Sequence, residues 1–231
     1  MVAPRTRESG PCVAVFDLDG TLTWRDTLVS YLIGYILRHP ARLTRLWRII
    51  PAVAGFFTSG HDRGLLKSRL IRAAMGGDPR SWIDAWSDRF VASLPVRHRF
   101  RPAALAVLDA HRAAGDHLVL LSASPDLYVP RIGKLLGFDE TLCTEIAWRT
   151  GTDPDSPLEG TLQTPNRRGE EKSRCVAWLR TRYPGMPVIA YGNSRSDLPH
   201  LAQSDRAMLV NGSPAARRAA AASGIAVADW T

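Results

Sequence analysis

The sequence predicts an α/β protein, a doubly wound parallel sheet with an all-helical insertion after its first strand. Two observations predict it. Short apolar runs alternate with helical patterns through most of the chain, as consecutive βα units require. Between residues 24 and 100 that alternation stops, and helical patterns follow one another without a strand between them. The expected units are a Rossmann-like core over 12–23 and 101–231, a helical insertion over 24–100 and a loose leader over 1–11.

Val13–Phe16 reads as the first strand. Asp26–Leu37, Ala41–Phe57, Asp62–Met75 and Pro79–Leu94 read as helices, parted by His39-Pro40, Ser59-Gly60 and Gly76-Gly77-Asp78. Pro51 should kink the second of these. Pro102–Ala114 is a helix stopped by Gly115, and Leu118–Leu121 is a continuous apolar strand. A helix over Asp126–Leu136 and a strand over Leu142–Ile146 follow, then a small hairpin of Trp148–Thr150 with Leu158–Leu162. Glu170–Arg182, Ser196–Ala202 and Pro214–Ala222 read as helices, interleaved with strands at Val188–Tyr191, Ala207–Val210 and Ile225–Val227. Trp82, Trp86 and Phe90 recur at i, i+4, i+8 and predict a buried stripe.

The first strand runs into Asp17-Leu18-Asp19-Gly20-Thr21. Carboxylates two apart on an extended chain face the same way, just beyond the carboxyl edge where open α/β sheets place their chemistry. So close a pair would hold a proton unless a cation sat between them, and Mg²⁺ is the natural hard cation. Alone, an acidic turn after a strand is commonplace. Ser122 after an apolar strand, Lys172 near a helix start, and Gly192-Asn193-Ser194-Arg195-Ser196-Asp197 after another strand complete an ordered set.

Composition bounds the partners. The chain has 231 residues, a net charge of +8 and 45% hydrophobic residues. The segment from Trp24 to His117 holds 15 basic and 7 acidic residues and so carries the entire excess. Cys12, Cys143 and Cys175 are odd in number and widely spaced, which argues against a disulfide framework or a zinc site and fits a reducing cytoplasm. The first eleven residues lack the apolar run of a secretory signal.

On these motifs the chain resembles the haloacid dehalogenase-like phosphohydrolase superfamily, subfamily IB, over almost its whole length. Asp17-x-Asp19-Gly20-Thr21, Ser122, Lys172 and the Gly192–Asp197 loop match its motifs in order. The resemblance implies a phosphomonoesterase in which Asp17 is the nucleophile and Asp19 the general acid and base. Ser122 and Lys172 would bind and neutralise the phosphoryl group, with Thr21 and Ala123 beside it. It also implies Mg²⁺ held by Asp17, Asp19, Asn193 and Asp197. Asn193 stands where the family usually has aspartate, so either metal affinity falls or Asp197 compensates.

The insertion occupies the position of the superfamily's smaller cap. Leu28–Leu37 is almost entirely apolar, after which Arg38, Arg42, Arg45 and Arg48 interleave with Leu43, Leu46, Trp47 and Ile49. Neither apolar run is long enough to span a bilayer. The pattern reads as peripheral contact with an anionic membrane through residues 28–57, and equally as cap helices packing on each other. It resembles the phosphatidylglycerophosphatase C branch, as do the Leu65–Leu70 to Gly76-Gly77 stretch, Gly169-x-Glu171-Lys172 and Pro199. The phosphoserine phosphatase branch is the alternative, in which Asp26 and either Arg69 or Arg72 would grip the substrate. A weakly active or non-catalytic phosphate- or lipid-binding module is the third reading. No nucleic-acid partner is expected, because the arginines alternate with bulky apolar residues. The sequence leaves the oligomeric state open.

Overall fold

The computed structural model describes residues 10–49, 62–96, 98–150, 153 and 155–230. A six-stranded parallel sheet forms its centre, in the order β3-β2-β1-β6-β7-β8. Its strands are β1 (Val13–Phe16), β2 (His117–Pro125), β3 (Glu140–Thr144), β6 (Val188–Gly192), β7 (Arg206–Val210) and β8 (Ala226–Ala228). Both faces are covered, and strand periodicity shows how. Val13 and Val15 pack with Val119, Leu121, Val188 and Ala190 on one side, under α6 (Glu170–Arg182), α7 (Leu198–Ala202) and α8 (Pro214–Ala222). Ala14 and Phe16 face the other side with Leu118, Leu120, Ile189 and Tyr191, towards α4 (Pro102–Ala113), α5 (Val129–Leu135) and the insertion.

The chain leaves the sheet after β1 through one wide turn over Leu18–Leu22. It enters and leaves the helical insertion at one crossing, where Thr23 bridges Phe100, Arg101 N donates to Leu22 O at 2.8 Å and Trp24 N to Arg99 O at 3.1 Å. The insertion contains α1 (Thr27–Arg38), a 3₁₀ segment (Pro40–Ile49), α2 (Arg63–Met75) and α3 (Arg80–Val96). Aspartates start two of these helices, Asp26 accepting from Val29 N, and Asp62 from Gly64 N and Leu65 N. Of the expected helix over Ala41–Phe57, the part beyond Ile49, with Pro51, lies outside the described residues.

Three elements differ from expectation, each for a local reason. The helix expected from Asp126 starts at Val129, because Asp126 is spent on a corner where its N–H donates to Thr144 O and its carboxylate accepts from Ile146 N. The hairpin pairs Ile146–Trp148 (β4), rather than Trp148–Thr150, with Leu158–Leu162 (β5), since the chain breaks from β3 at Glu145. Trp86 and Phe90 are buried, but Trp82 is 56% exposed and stacks on His39 at 5.9 Å.

The apolar stretch of α1 divides by face. Tyr31 and Tyr35 are fully buried, with Tyr31 Oη bonded to Ser87 Oγ and Tyr35 Oη donating to Asp78. Val29, Ile33 and Leu37, one helical turn apart, are exposed. Two of the arginines assigned to lipid have internal partners: Arg38 lies over the Trp86 ring and Arg42 pairs with Asp78. The three cysteines are buried, and no disulfide joins them to one another. Among the described residues no helix is long and apolar enough to cross a membrane.

Candidate active site

Strand order fixes where the chemistry sits. β1 lies between β2 and β6, and the chain's progress reverses direction between β1 and β6, so a crevice opens at their carboxyl ends. Asp17 leaves β1 there, its N–H still bonded to Tyr191 O at 3.0 Å. Gly20 makes the following turn at φ +83°, where a side chain would strain the backbone and collide with the Asn193 amide. Gly192 lies so close to Asp197 that an added Cβ would sit 2.6 Å from that residue's Cβ. The first and fourth motifs meet at Gly20 against Asn193, and Gly192 lets the fourth motif close on its own Asp197.

Asp17, Lys172 and Asp197 form a buried array. Lys172 Nζ donates to Asp17 Oδ1 at 2.6 Å and to Asp197 Oδ1 at 2.8 Å, and Thr21 Oγ1 donates to Asp17 Oδ2 at 3.0 Å. Burial pushes the Asp17 carboxyl up to about 7, although Lys172 opposes the shift. Burial also opposes charge on Asp197, yet the Lys172 ammonium prevails and holds it well below the usual carboxylate range. Lys172 itself loses by burial but is held above its ordinary value by the two aspartates.

Asp19 has a separate setting. Its Oδ1 accepts from Thr27 N and Oγ1, both at 2.7 Å, and its Oδ2 accepts from Ser124 Oγ at 2.6 Å. Burial raises its pKa, and the bonds from Ser124 and Thr27 oppose the rise. The Thr27 hydroxyl continues to Tyr128 Oη at 2.9 Å. Asp19 is thus a carboxyl inclined to carry a proton, aimed by residues of both the core and the insertion.

These groups form the floor of a cavity of about 700 Å³. Thr21 touches Asp17, while Ala123, Asp26 and Asn193 line the cavity. Ser122 is buried beneath it, with its Oγ accepting from Ser124 N at 3.0 Å. Arg69 and Arg72 do not reach the cavity. Arg69 faces outward from α2, and Arg72 bonds to Glu159 O at 3.1 Å along the β4–β5 hairpin. The basic residues of the insertion that line it are Arg25, Arg63 and Lys67 instead. Sequence reasoning also missed Ser124, although it lies two residues after Ser122 on the same strand face.

Asp17, Asp19 and Asn193 line the cavity together and bring oxygen donors of the kind that suit a hard cation. Beside Asn193, Asp197 already has several partners. Its Oδ1 takes Lys172, and its Oδ2 takes Asn193 N, Ser194 N and Ser194 Oγ. Its carboxylate anchors the lysine and shapes the loop.

The model of the haloacid dehalogenase-like hydrolases matches residues 14–202, the span that contains this whole constellation. The chain belongs to that family. This hydrolase is similar to protein CicA of Caulobacter vibrioides, 32% identical over 87% of this chain and 88% of that one. Its fold is similar to that of a protein of unknown function from Bordetella pertussis Tohama I, with TM-score 0.78, 23% identity, and coverage of 96% and 100% of the two chains. A phospho-aspartyl intermediate analogue of phosphoserine phosphatase also shares the fold, with TM-score 0.64, 11% identity, and coverage of 96% and 95%.

Behind the array, His200 is fully buried and neither ring nitrogen has a hydrogen-bond partner. Burial holds its pKa down at about 3, with a smaller push from Lys172. A histidine depressed below its unfolded value contributes stability that is complete above that value and lost as pH falls towards the folded one. Wild-type protein should therefore lose on the order of 2 kcal/mol from this residue between about pH 7.5 and 5. Urea denaturation at the two pH values should show His200→Met losing correspondingly less. Equal losses would assign the acid sensitivity elsewhere.

Proposed function

We propose that this hydrolase is a Mg²⁺-dependent phosphatase, with residues 24–100 capping the core and a phosphorylated lipid head group such as that of phosphatidylglycerophosphate as substrate. The Asp17–Lys172–Asp197 array with a separately held Asp19 carries the catalytic part. Asp17 attacks phosphorus, forming an O–P bond as the bond to the leaving oxygen breaks, and Asp19 supplies the proton that oxygen needs. Asp19 then takes a proton from the water that cleaves the aspartyl phosphate. Lys172 neutralises charge on Asp17 and the transferring group, and the backbone N–H of Ala123, at the end of β2, is placed to serve its oxygens. Mg²⁺, held by Asp17, the Asp19 carbonyl and Asn193, adds electrostatic stabilisation of the phosphoryl oxygens when bound.

The cavity wall supports a lipid substrate at the inner membrane face. Leu28, Leu32, Leu66 and Leu70 line it beside the cations, and Val29 at its mouth begins the exposed line through Ile33 and Leu37. Phosphoserine, the second reading, is favoured by Asp26 at the mouth and by the fold likeness to phosphoserine phosphatase. The test is phosphate release with Mg²⁺ from phosphatidylglycerophosphate vesicles and from phosphoserine. Release from vesicles alone supports the proposal, and release from phosphoserine alone replaces it with the second reading. Silence on both leaves a binding module.

Ser124→Ala should lower kcat about tenfold, the scale of one charge-assisted hydrogen bond. The bond opposes the rise in Asp19's pKa, so its loss raises that pKa further and moves the basic limb of the pH–rate profile, which the general acid sets, upward. An unmoved limb would mean Ser124 does not tune Asp19.

A further inference from the structure

Arg63, Lys67 and Arg168 converge at one side of the cavity. Arg63 and Lys67 are four apart on α2 and share a helix face. Arg168 comes from the core loop before α6, against which the start of α2 is pressed, a Cβ on Gly64 lying only 3.3 Å from that of Asn166. Lys67 is buried, and among the described residues its Nζ bonds only to neutral oxygens, the Ala123 carbonyl and Asn166 Oδ1. Among the described residues neither guanidinium has a hydrogen bond or an ion pair. Like charges are thus held together with no direct ion pair among the described residues, the carboxylates of Asp17, Asp19, Asp26 and Asp197 acting on them only from a distance. Burial and then Arg63 oppose the charge on Arg168, and burial takes Lys67 down to about 8. Such a cluster persists at little cost only where an anion arrives to balance it.

We propose that Arg63, Lys67 and Arg168 form a second oxyanion subsite, which binds a phosphodiester carried on the leaving-group side of the substrate. This rests on the phosphatase reading above. The side follows from placement. Arg63 and Lys67 come from the insertion, on the far side of the cavity from the core, whereas the phosphoryl-accepting end, Asp17 with Lys172, belongs to the core floor. Guanidinium forks suit a phosphodiester, and an anion bridging α2 to the core loop would hold the insertion down on the core.

The test measures binding to the Asp17→Asn protein by calorimetry with Mg²⁺ present. Glycerophosphoglycerol phosphate offers a diester and a terminal phosphate, and glycerol 3-phosphate offers the terminal phosphate alone. The diester-bearing compound should bind at least about tenfold tighter, the scale of one bidentate contact. Arg63→Gln and Arg168→Gln should each erase most of that gap, with the loss confined to the diester-bearing compound. Both arginines lack side-chain bonds, so thermal unfolding should be unchanged. Equal affinities in the parent, or parallel losses for both compounds, would overturn the subsite.

Wild-type turnover then separates the sources of the diester. Faster release from vesicles of phosphatidylglycerophosphate than from its free head group supports a lipid-borne diester. Equal or slower release supports the subsite and removes the lipid reading. Selective binding without release from either supports the subsite and removes the phosphatase reading.

Discussion

Asp17→Asn should abolish phosphate release from every substrate, a loss on the order of 10⁴ to 10⁶, the range seen when a nucleophile is removed. The change replaces one oxygen by an amide nitrogen in a buried position and leaves Lys172 bonded to Asp197. Stability should therefore not account for the loss. The sign can be worked out. Asp17 is raised to about 7 in the folded chain, so its ionisation costs stability as pH rises from its ordinary value through 7. Asparagine does not ionise. At pH 8 without added Mg²⁺ the variant should unfold at no lower temperature than wild type, while remaining inactive with Mg²⁺. Residual activity within a hundredfold of wild type would remove Asp17 from the nucleophile's role.

Lys172→Met should both inactivate and destabilise. Lys172 is almost wholly buried between Asp17 and Asp197, and its removal leaves two carboxylates without their cation. Breaking a buried ion pair from one side costs about 3–5 kcal/mol. The pH dependence should distinguish this from loss of packing. In the wild type, Asp197 is depressed and contributes stability that is present above its ordinary value and lost as pH falls below it. Without the lysine, burial raises both carboxyls. The variant's stability should then fall as pH rises from about 4 to 8. A urea series across that range showing a constant difference from wild type would refute this electrostatic account.

Element type was legible in the chain because each βα unit carries its own periodicity. α6 and α8 begin where Gly169 and Ser213-Pro214 place them. Boundaries were missed where a side chain served a partner far along the chain, as Asp126 does at the start of β4. Trp82 shows the same limit from another direction. Its spacing from Trp86 and Phe90 marks one helix face, but a face is buried only as far as a neighbour covers it.

The sequence by itself determined the sheet, the insertion and the ordered set Asp17, Asp19, Lys172 and Gly192–Asp197, because strand ends and glycine turns are local features. Only the tertiary structure decided which basic residues meet the cavity. Arg63 and Lys67 face it while Arg69 and Arg72 turn away, and the angle at which α2 packs against β5 selects between them. It also decided what Asp197 touches. Its carboxylate accepts from Lys172 and from its own loop at Ser194, because the sheet brings the start of α6 beside the end of β6.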